Sequence, residues 1–246
     1  MIIRRMAEAI REQNWFTVII EILIVVIGIF LGLQVTEWNE VRKDHVNYEQ
    51  ALERLKDEVT DSLEIIDVES TIINEDIAIV RAGMEALIAC SGTPQTVNHA
   101  IARVRGTRSV EFHAPTLFEL TSNSTLQAAQ SSVVRKRLAD LRYFLELTRG
   151  ISEQFEPDPF TGLPMNTPTL KIAAPEKMSG IYFGIEYEVP RYPVVLAVPI
   201  TDACKDKNLQ KLMLRWEAWH TNVLIFNKKI RQEYVDTLAL LQEVAQ

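Results

Sequence analysis

The sequence has little of what a nucleic-acid-binding or a metal-binding protein needs. Its 26 Lys and Arg residues are outnumbered by 33 Asp and Glu residues, and its formal net charge is -7. Binding to phosphate backbones depends on clustered Lys and Arg, so we expect no nucleic-acid partner. The four histidines are scattered, and none has the spacing that places two metal ligands on one helix face. We therefore expect no metal site.

The short motifs of common catalytic sites are also missing. The chain has no glycine-rich phosphate loop, no G-x-S-x-G nucleophile turn and no dinucleotide fingerprint. Carboxylates are abundant, as helix surfaces require, so no acid–base pair stands out. We expect a protein that is not an enzyme and that binds no cofactor; a membrane-anchored hydrolase would need a constellation that the sequence does not offer.

Cysteine is scarce. Only Cys90 and Cys204 occur, far apart and in no C-x-x-C arrangement. They allow one disulfide if the domain faces an oxidising compartment, or two buried free thiols. The sequence leaves both alternatives open.

A long apolar run occupies residues 15 to 35, with Glu21 as its only ionisable residue. At 1.5 Å per residue, about 20 such residues span a hydrocarbon core of roughly 30 Å. A cleaved signal peptide is the competing explanation, but the run is longer than a typical h-region and no small-x-small cleavage site follows it. We predict a retained transmembrane helix over residues 15–36, with Trp15 and Trp38 as interfacial anchors.

Basic residues flank both ends of this run. Arg4, Arg5 and Arg11 precede it, and Arg42 and Lys43 follow it. The positive-inside rule favours a cytoplasmic N-terminus and a C-terminal domain on the outer side. Residues 1–14 form a short segment that either lies along the inner membrane surface or extends the anchor helix.

One face of the predicted span carries both of its glycines and its only carboxyl group. This glycine face consists of residues spaced three and four apart: Glu21, Val25, Gly28, Gly32 and Val35. The spacing Gly28-x-x-x-Gly32 lets the backbone of a second helix approach closely. Glu21 either contacts a partner or extends toward the headgroups, because a carboxyl group in hydrocarbon is costly. We predict that the glycine face mediates association within the membrane.

The span and the residues after it resemble a bacterial protein family. The pattern E-I-x-x-V-V-x-G-I-x-x-x-L-Q runs from Glu21 to Gln34, and W-N-E-x-R-K follows from Trp38 to Lys43. This is similar to the N-terminal signature of an uncharacterised family of bacterial single-span membrane proteins with a domain of unknown function. The resemblance implies a bacterial inner-membrane location, and it implies no known activity and no site residue.

We expect residues 37–246 to form one helical extramembrane domain. It begins with an apolar stripe in alternating steps of three and four: Trp38, Val41, His45, Tyr48, Leu52, Leu55 and Val59. The stripe resumes from Ile66 to Leu87, either in one long rod or in two helices bent near Ser70. A last helix from Asn208 to Val244 matches it in pattern and length. We predict that the two pack antiparallel in a bundle.

Eight of the ten prolines fall between Pro157 and Pro199, so residues 155–205 cannot be ordinary helix. Strand-like composition at residues 181–189 and 194–198 predicts an ordered insertion with one hairpin. The predicted fold class is mainly α: an N-terminal transmembrane helix, then a long-helix antiparallel bundle with a Pro-rich, partly β insertion.

Two functions are compatible with these features. The first is a membrane-anchored scaffold or accessory subunit, in which the glycine face and the long helices assemble with further copies or with a larger membrane complex. The second is a sensor whose outer domain binds a ligand in a pocket under the insertion. Residues 1–14 are too few for a cytoplasmic output domain, so a sensor would signal through a partner.

Overall fold

The computed structural model describes most of the chain beyond the first fourteen residues. The described residues are 15–104, 106, 108, 112–155, 167–182 and 185–244. For residues 15–18, 21, 152–155 and 181–182, only the backbone is described. The predicted N-terminal segment 1–14 and the start of the Pro-rich insertion therefore lie outside the described residues.

The first helix, α1, is continuous from Trp15 to Ile88. Its continuity has a simple cause in the sequence, because no glycine or proline lies between Gly32 and Gly83. Of the two alternatives for residues 37–89, the structure has the single rod. At 1.5 Å per residue, the part after residue 35 extends about 80 Å.

The end of α1 is set by a backbone motif centred on Cys90. The Ser91 amide donates to the Ala86 carbonyl at 3.0 Å, and the Cys90 amide donates to the Leu87 carbonyl at 3.4 Å. This is the Schellman arrangement, which requires a left-handed residue that is usually glycine. Cys90 occupies that position with φ of 47°. A residue with a side chain therefore adopts a strained backbone conformation at this helix end.

Six further helices follow in the described part of the chain: α2 (Pro94–Arg103), α3 (Pro115–Ser122), α4 (Ser124–Ala129), α5 (Ser132–Phe155), α6 (Ile200–Ala203) and α7 (Lys207–Val244). The predicted last helix is confirmed by α7. Helix α5 continues through Gly150, because a single internal glycine costs only about 1 kcal/mol. The fold is mainly helical, as predicted.

The insertion contains four short strands: β1 (Leu170–Ile172), β2 (Glu176–Tyr182), β3 (Ile185–Arg191) and β4 (Val194–Leu196). Strand β1 pairs with β4, and β2 pairs with β3, both antiparallel. Residues 181–189, which have strand-like composition, belong to two strands, since β2 ends at Tyr182 and β3 begins at Ile185. Tyr187 covers Gly180, where an added Cβ would lie 2.8 Å from the tyrosine Oη. This cross-strand contact helps to stabilise a hairpin that has no second sheet behind it.

Two clusters of buried side chains form the core along α1. The first, nearer the N-terminal end, joins Tyr48 to Ile66 of α1 with α3, α4, α5 and the C-terminal half of α7. The second joins Ile73 to Leu87 with α2, β4, α6 and the N-terminal half of α7. Tyr234 is fully enclosed in the first cluster, and burial raises the pKa of its hydroxyl to about 12.

Polar pairs connect α1 and α7 along their length. Arg231 Nε donates to Asp67 Oδ1 at 2.7 Å, and Asn227 Nδ2 donates to Ser70 Oγ at 3.1 Å. Arg81 Nε donates to an oxygen of Glu217 at 2.8 Å. As the residue number in α1 rises from one pair to the next, the residue number of its partner in α7 falls. The hydrogen bond from Arg231 holds the pKa of Asp67 below its usual value.

The predicted apolar stripe divides into a buried and an exposed part. Tyr48, Leu52, Leu55 and Val59 are buried as expected, whereas Trp38, Val41 and His45 are exposed. No other element in the described part of the chain covers the residues of α1 that precede Tyr48. The same periodic pattern thus continues beyond the part of α1 that the domain covers.

This division predicts different effects for two matched truncations. Leu55→Ala should lower the free energy of unfolding by about 2–5 kcal/mol, because it removes a fully buried side chain from the first cluster. Val41→Ala, at a side chain that is 62% exposed, should change it by no more than about 0.5 kcal/mol. Denaturant unfolding of the full-length protein in detergent measures both. Equal effects would contradict this placement of the core.

Candidate functional site

The first part of α1 is an isolated apolar helix. Residues 22–43 are all exposed, among them Ile24, Phe30 and Leu33. By length and composition, α1 is the one helix in the described part of the chain that can cross a membrane. Soluble proteins rarely expose contiguous apolar patches beyond a few hundred Å², and larger patches mark surfaces that contact a membrane or another protein.

The glycine face is open along its whole described length. A Cβ added at Gly28 or Gly32 would meet no atom within 4 Å apart from the local backbone of α1, and Val25 and Val35 are exposed. Glu21 lies in α1, but only its backbone is described. The structure therefore leaves this side of the helix accessible to another helix backbone.

The two tryptophans lie in α1 at positions consistent with the ends of a span. Trp15 is its first residue, and Trp38 follows 23 residues later, which corresponds to about 34 Å of helix. The Trp38 side chain is 68% exposed, whereas only the backbone of Trp15 is described. The separation fits anchors at the two edges of a hydrocarbon core of roughly 30 Å.

The glycine face and the buried stripe lie on different sides of α1. Residues 36 positions apart are separated by about ten full turns of an α-helix, so Gly28 shares its side with Glu64, and Gly32 shares its side with Val68. Glu64 and Val68 are exposed. The domain packs on another side of the helix, more than about 100° away. A helix that binds the glycine face therefore avoids the protein's own domain.

The side of α1 that carries the glycine face becomes acidic further toward the C-terminal end of the helix. We call it the outer face and define it by its exposed residues: Glu53, Asp57, Thr60, Glu64, Val68, Thr71 and Glu75. Lys56, which lies beside this face, pairs with Glu53 at 2.7 Å, and none of the residues that define the outer face is Lys or Arg. The other carboxylates of this face have no basic residue to offset them there, so it presents negative charge to whatever approaches.

A disulfide links Cys90 to Cys204, with the sulfur atoms 2.07 Å apart. It joins the end of α1 to the residue between α6 and α7, and so closes the part of the chain that contains α2–α6 and the strands. This resolves the alternative that the sequence left open. Structural disulfides persist in oxidising compartments and are rare in the cytosol.

The histidines are not arranged for metal binding, and among the described residues no group of three or more His, Cys, Asp or Glu could hold a metal ion. A cavity of about 380 Å³ lies between α1 and α3, and its lining residues are Glu58, Asp61, Ser62, Ile65, Phe112, His113 and Pro115. Glu58 already accepts the amides of Thr116 and Leu117 at 2.8 and 3.3 Å, so its carboxylate is committed to the start of α3. The cavity is therefore not the pocket under the insertion that a sensor was expected to have.

No family model, curated protein or solved structure matches this chain. The geometry of α1 and the disulfide are therefore the features of this chain that bear on its function. The glycine face and the tryptophan anchors are predictions from the sequence. Sequence reasoning missed the outer face, since acidic residues on a helix are ordinary until the structure shows which side the domain covers.

The disulfide predicts the behaviour of both thiols. In protein extracted without reductant and then unfolded, neither cysteine should react with a maleimide, and both should react after reduction. Cys204→Ser should lower the free energy of unfolding by about 2–5 kcal/mol, because it removes the cross-link that restricts the unfolded chain. Labelling of both thiols before reduction would contradict the bond.

Proposed function

We propose that this chain is a non-enzymatic, membrane-anchored scaffold or accessory subunit that assembles through α1. The observation that carries the proposal is the open glycine face on an exposed apolar helix, on a side that the domain does not cover. Close helix approach is the way helices associate in lipid, where hydrophobic burial gives no drive. The resemblance to bacterial single-span proteins agrees with this role.

The anchor lies in the bacterial inner membrane, with the N-terminus in the cytoplasm and the domain in the periplasm. Two independent features support this orientation. The short N-terminal flank carries three arginines, and the domain contains a disulfide, which suits an oxidising compartment.

The domain is an antiparallel bundle built on α1 and α7. The opposite order of the pairs Asp67–Arg231 and Arg81–Glu217 along the two helices supports this arrangement. The packing of α5 against α7, where Arg137 Nε donates to Thr237 Oγ1 at 2.9 Å, adds a third long helix. Such a bundle gives α1 a rigid support at one side and leaves the outer face accessible.

The charge of the outer face favours a different membrane protein over a second copy as the partner. In a parallel homodimer formed through the glycine face, each carboxylate of the outer face would approach its own counterpart. Like charges at such an interface are unfavourable. A partner with small residues in its span and Lys or Arg on the adjoining helix would complement both parts of α1.

A sensor remains the second candidate. Its support is the cavity between α1 and α3, which is half-open and has both apolar and acidic walls. The commitment of Glu58 to the α3 amides counts against it. This role would be favoured by a small molecule that binds saturably and protects the backbone amides of Phe112 and His113 from hydrogen exchange.

The glycine face is tested by adding bulk to it. Gly28→Leu and Gly32→Leu should each lower crosslinking in native membranes by about tenfold, because the added side chains hold the partner backbone away. Val26→Leu, which adds a carbon on the far side of the same helix, is the matched control and should have no effect. Unchanged crosslinking in both glycine variants would overturn the role of this face.

The nature of the partner is tested by reversing the charge of the outer face. Asp57→Lys combined with Glu64→Lys should reduce copurification of a basic partner and leave stability nearly unchanged, since both side chains are exposed. Glu186→Lys, on the exposed β2–β3 hairpin, is the control. If the contact is between copies, mixing reversed and wild-type chains should instead increase crosslinking, and that result would exclude the heterologous partner.

A further inference from the structure

The cavity between α1 and α3 lies where the core stripe of α1 becomes polar. In steps of three and four, the stripe runs from Leu55 and Val59 to Ser62 and Ile66. Ser62 is buried, and its side chain is smaller than the valine and the isoleucine on either side of it in the stripe. It lines a half-open cavity of about 380 Å³, a volume typical of small-molecule sites.

One part of the cavity wall is acidic. Glu58 and Asp61 line it from successive turns of α1, and none of its described lining residues is Lys or Arg. Glu58 accepts the amides of Thr116 and Leu117 at the start of α3, which offset its negative charge. Asp61 is exposed, and in the described part of the chain it has neither a hydrogen bond nor an ion pair. Asp61 is therefore the carboxylate of this cavity that remains available to a ligand.

The rest of the wall is largely apolar. Ile65 extends it by one turn of α1, and Phe112 and Pro115 line it from the segment that leads into α3. Aromatic rings attract cations to their faces, and a neighbouring carboxylate neutralises the charge of a bound cation. An apolar wall with one available carboxylate thus suits a cation that has an apolar body, and it disfavours an anion.

An unused hydroxyl group lies close to this cavity. Tyr234 is fully buried, and its ring packs against Phe112 with ring centres 6.3 Å apart. Burial raises the pKa of its hydroxyl, Ser62 lowers it and the charge of Glu58 raises it further, so the hydroxyl lies near two residues that line the cavity. Even so, it has no well-formed hydrogen bond with a described residue. Buried polar groups nearly always have a partner, so this oxygen favours a ligand that donates hydrogen bonds.

We propose that this cavity binds a small organic cation, a primary amine with an apolar body. Its ammonium group pairs with Asp61, and its apolar part covers Ile65 and Phe112. This cavity is the one on which the sensor role depends, and the amine gives that role a class of ligand. Because the cavity is separate from the glycine face, the amine binds whether or not the chain assembles through its span.

Three small molecules that share a phenyl ring and differ in charge test this site. Full-length protein in phosphatidylcholine nanodiscs is titrated by calorimetry with phenethylamine, phenethyl alcohol and phenylacetate, and empty nanodiscs supply the reference. Phenethylamine, which is protonated near neutral pH, should bind saturably and about tenfold more tightly than the alcohol, because only the cation pairs with a carboxylate. Phenylacetate should not bind. No saturable binding of the amine, or equal affinities for the amine and the alcohol, would overturn the proposal.

Removal of one charge assigns the binding to this cavity. Asp61→Asn keeps the size of the side chain and should weaken the binding of phenethylamine by about tenfold, and its exposed position leaves the fold intact. Glu75→Gln is the matched control, since it removes an exposed carboxylate about 21 Å further along α1, beyond the reach of screened charges. It should bind the amine as the wild type does. Equal affinity in Asp61→Asn and the wild type, or equal loss in both variants, contradicts a site in this cavity.

A third variant separates this site from the scaffold proposal. Gly28→Leu, which adds bulk to the glycine face, should leave the affinity for phenethylamine unchanged. Loss of crosslinking therefore reports on assembly alone, and loss of amine binding in Asp61→Asn reports on the cavity alone. Loss of amine binding in Gly28→Leu would show that the site depends on assembly and would contradict its independence.

Discussion

The structure depends on the unbroken backbone hydrogen bonding of α1. This helix has no glycine or proline over the fifty residues between Gly32 and Gly83, so nothing in its sequence allows a hinge between the apolar run and the domain. The apolar run and the domain are therefore joined by one continuous helix. The same continuity fixes which sides of the span and of the domain align.

Two sides of α1 have different roles because of this alignment. One side, from Tyr48 onward, supplies the core stripe of the domain. The other carries the glycine face in the apolar part and the acidic outer face above it. Between residues 36 and 47 the helix is exposed almost all round, which leaves about 18 Å of uncovered helix between the apolar run and the domain. The side chains of the outer face are exposed too, so a partner can reach them without displacing the domain.

Periodicity in the sequence predicted the helices well and the faces only partly. The steps of three and four from Tyr48 to Val59 identified the core side correctly, since burial follows the helical repeat. The same pattern at Trp38, Val41 and His45 is exposed, because a repeat does not reveal where a covering helix ends. Nothing in the local sequence distinguishes the buried part of the stripe from the exposed part.

Other features depended on contacts that no local pattern contains. The pairing of Cys90 with Cys204 arises because the end of α1 and the end of α6 meet, a consequence of packing over 114 residues. The run of β-forming residues over 181–189 is shared between two paired strands, β2 and β3. The hydrogen bonds of His220 with the Arg108 amide and the Trp216 carbonyl could not be predicted from the sequence, where it is one of four scattered histidines.

The most direct test is whether residues 15–35 remain attached to the domain in the membrane. Membranes are washed with alkaline carbonate, and the retained protein is analysed by mass spectrometry for peptides that cover this run. The account predicts that the protein stays in the membrane fraction with the run intact. A domain that is released by the wash, or that begins after Val35, would contradict it.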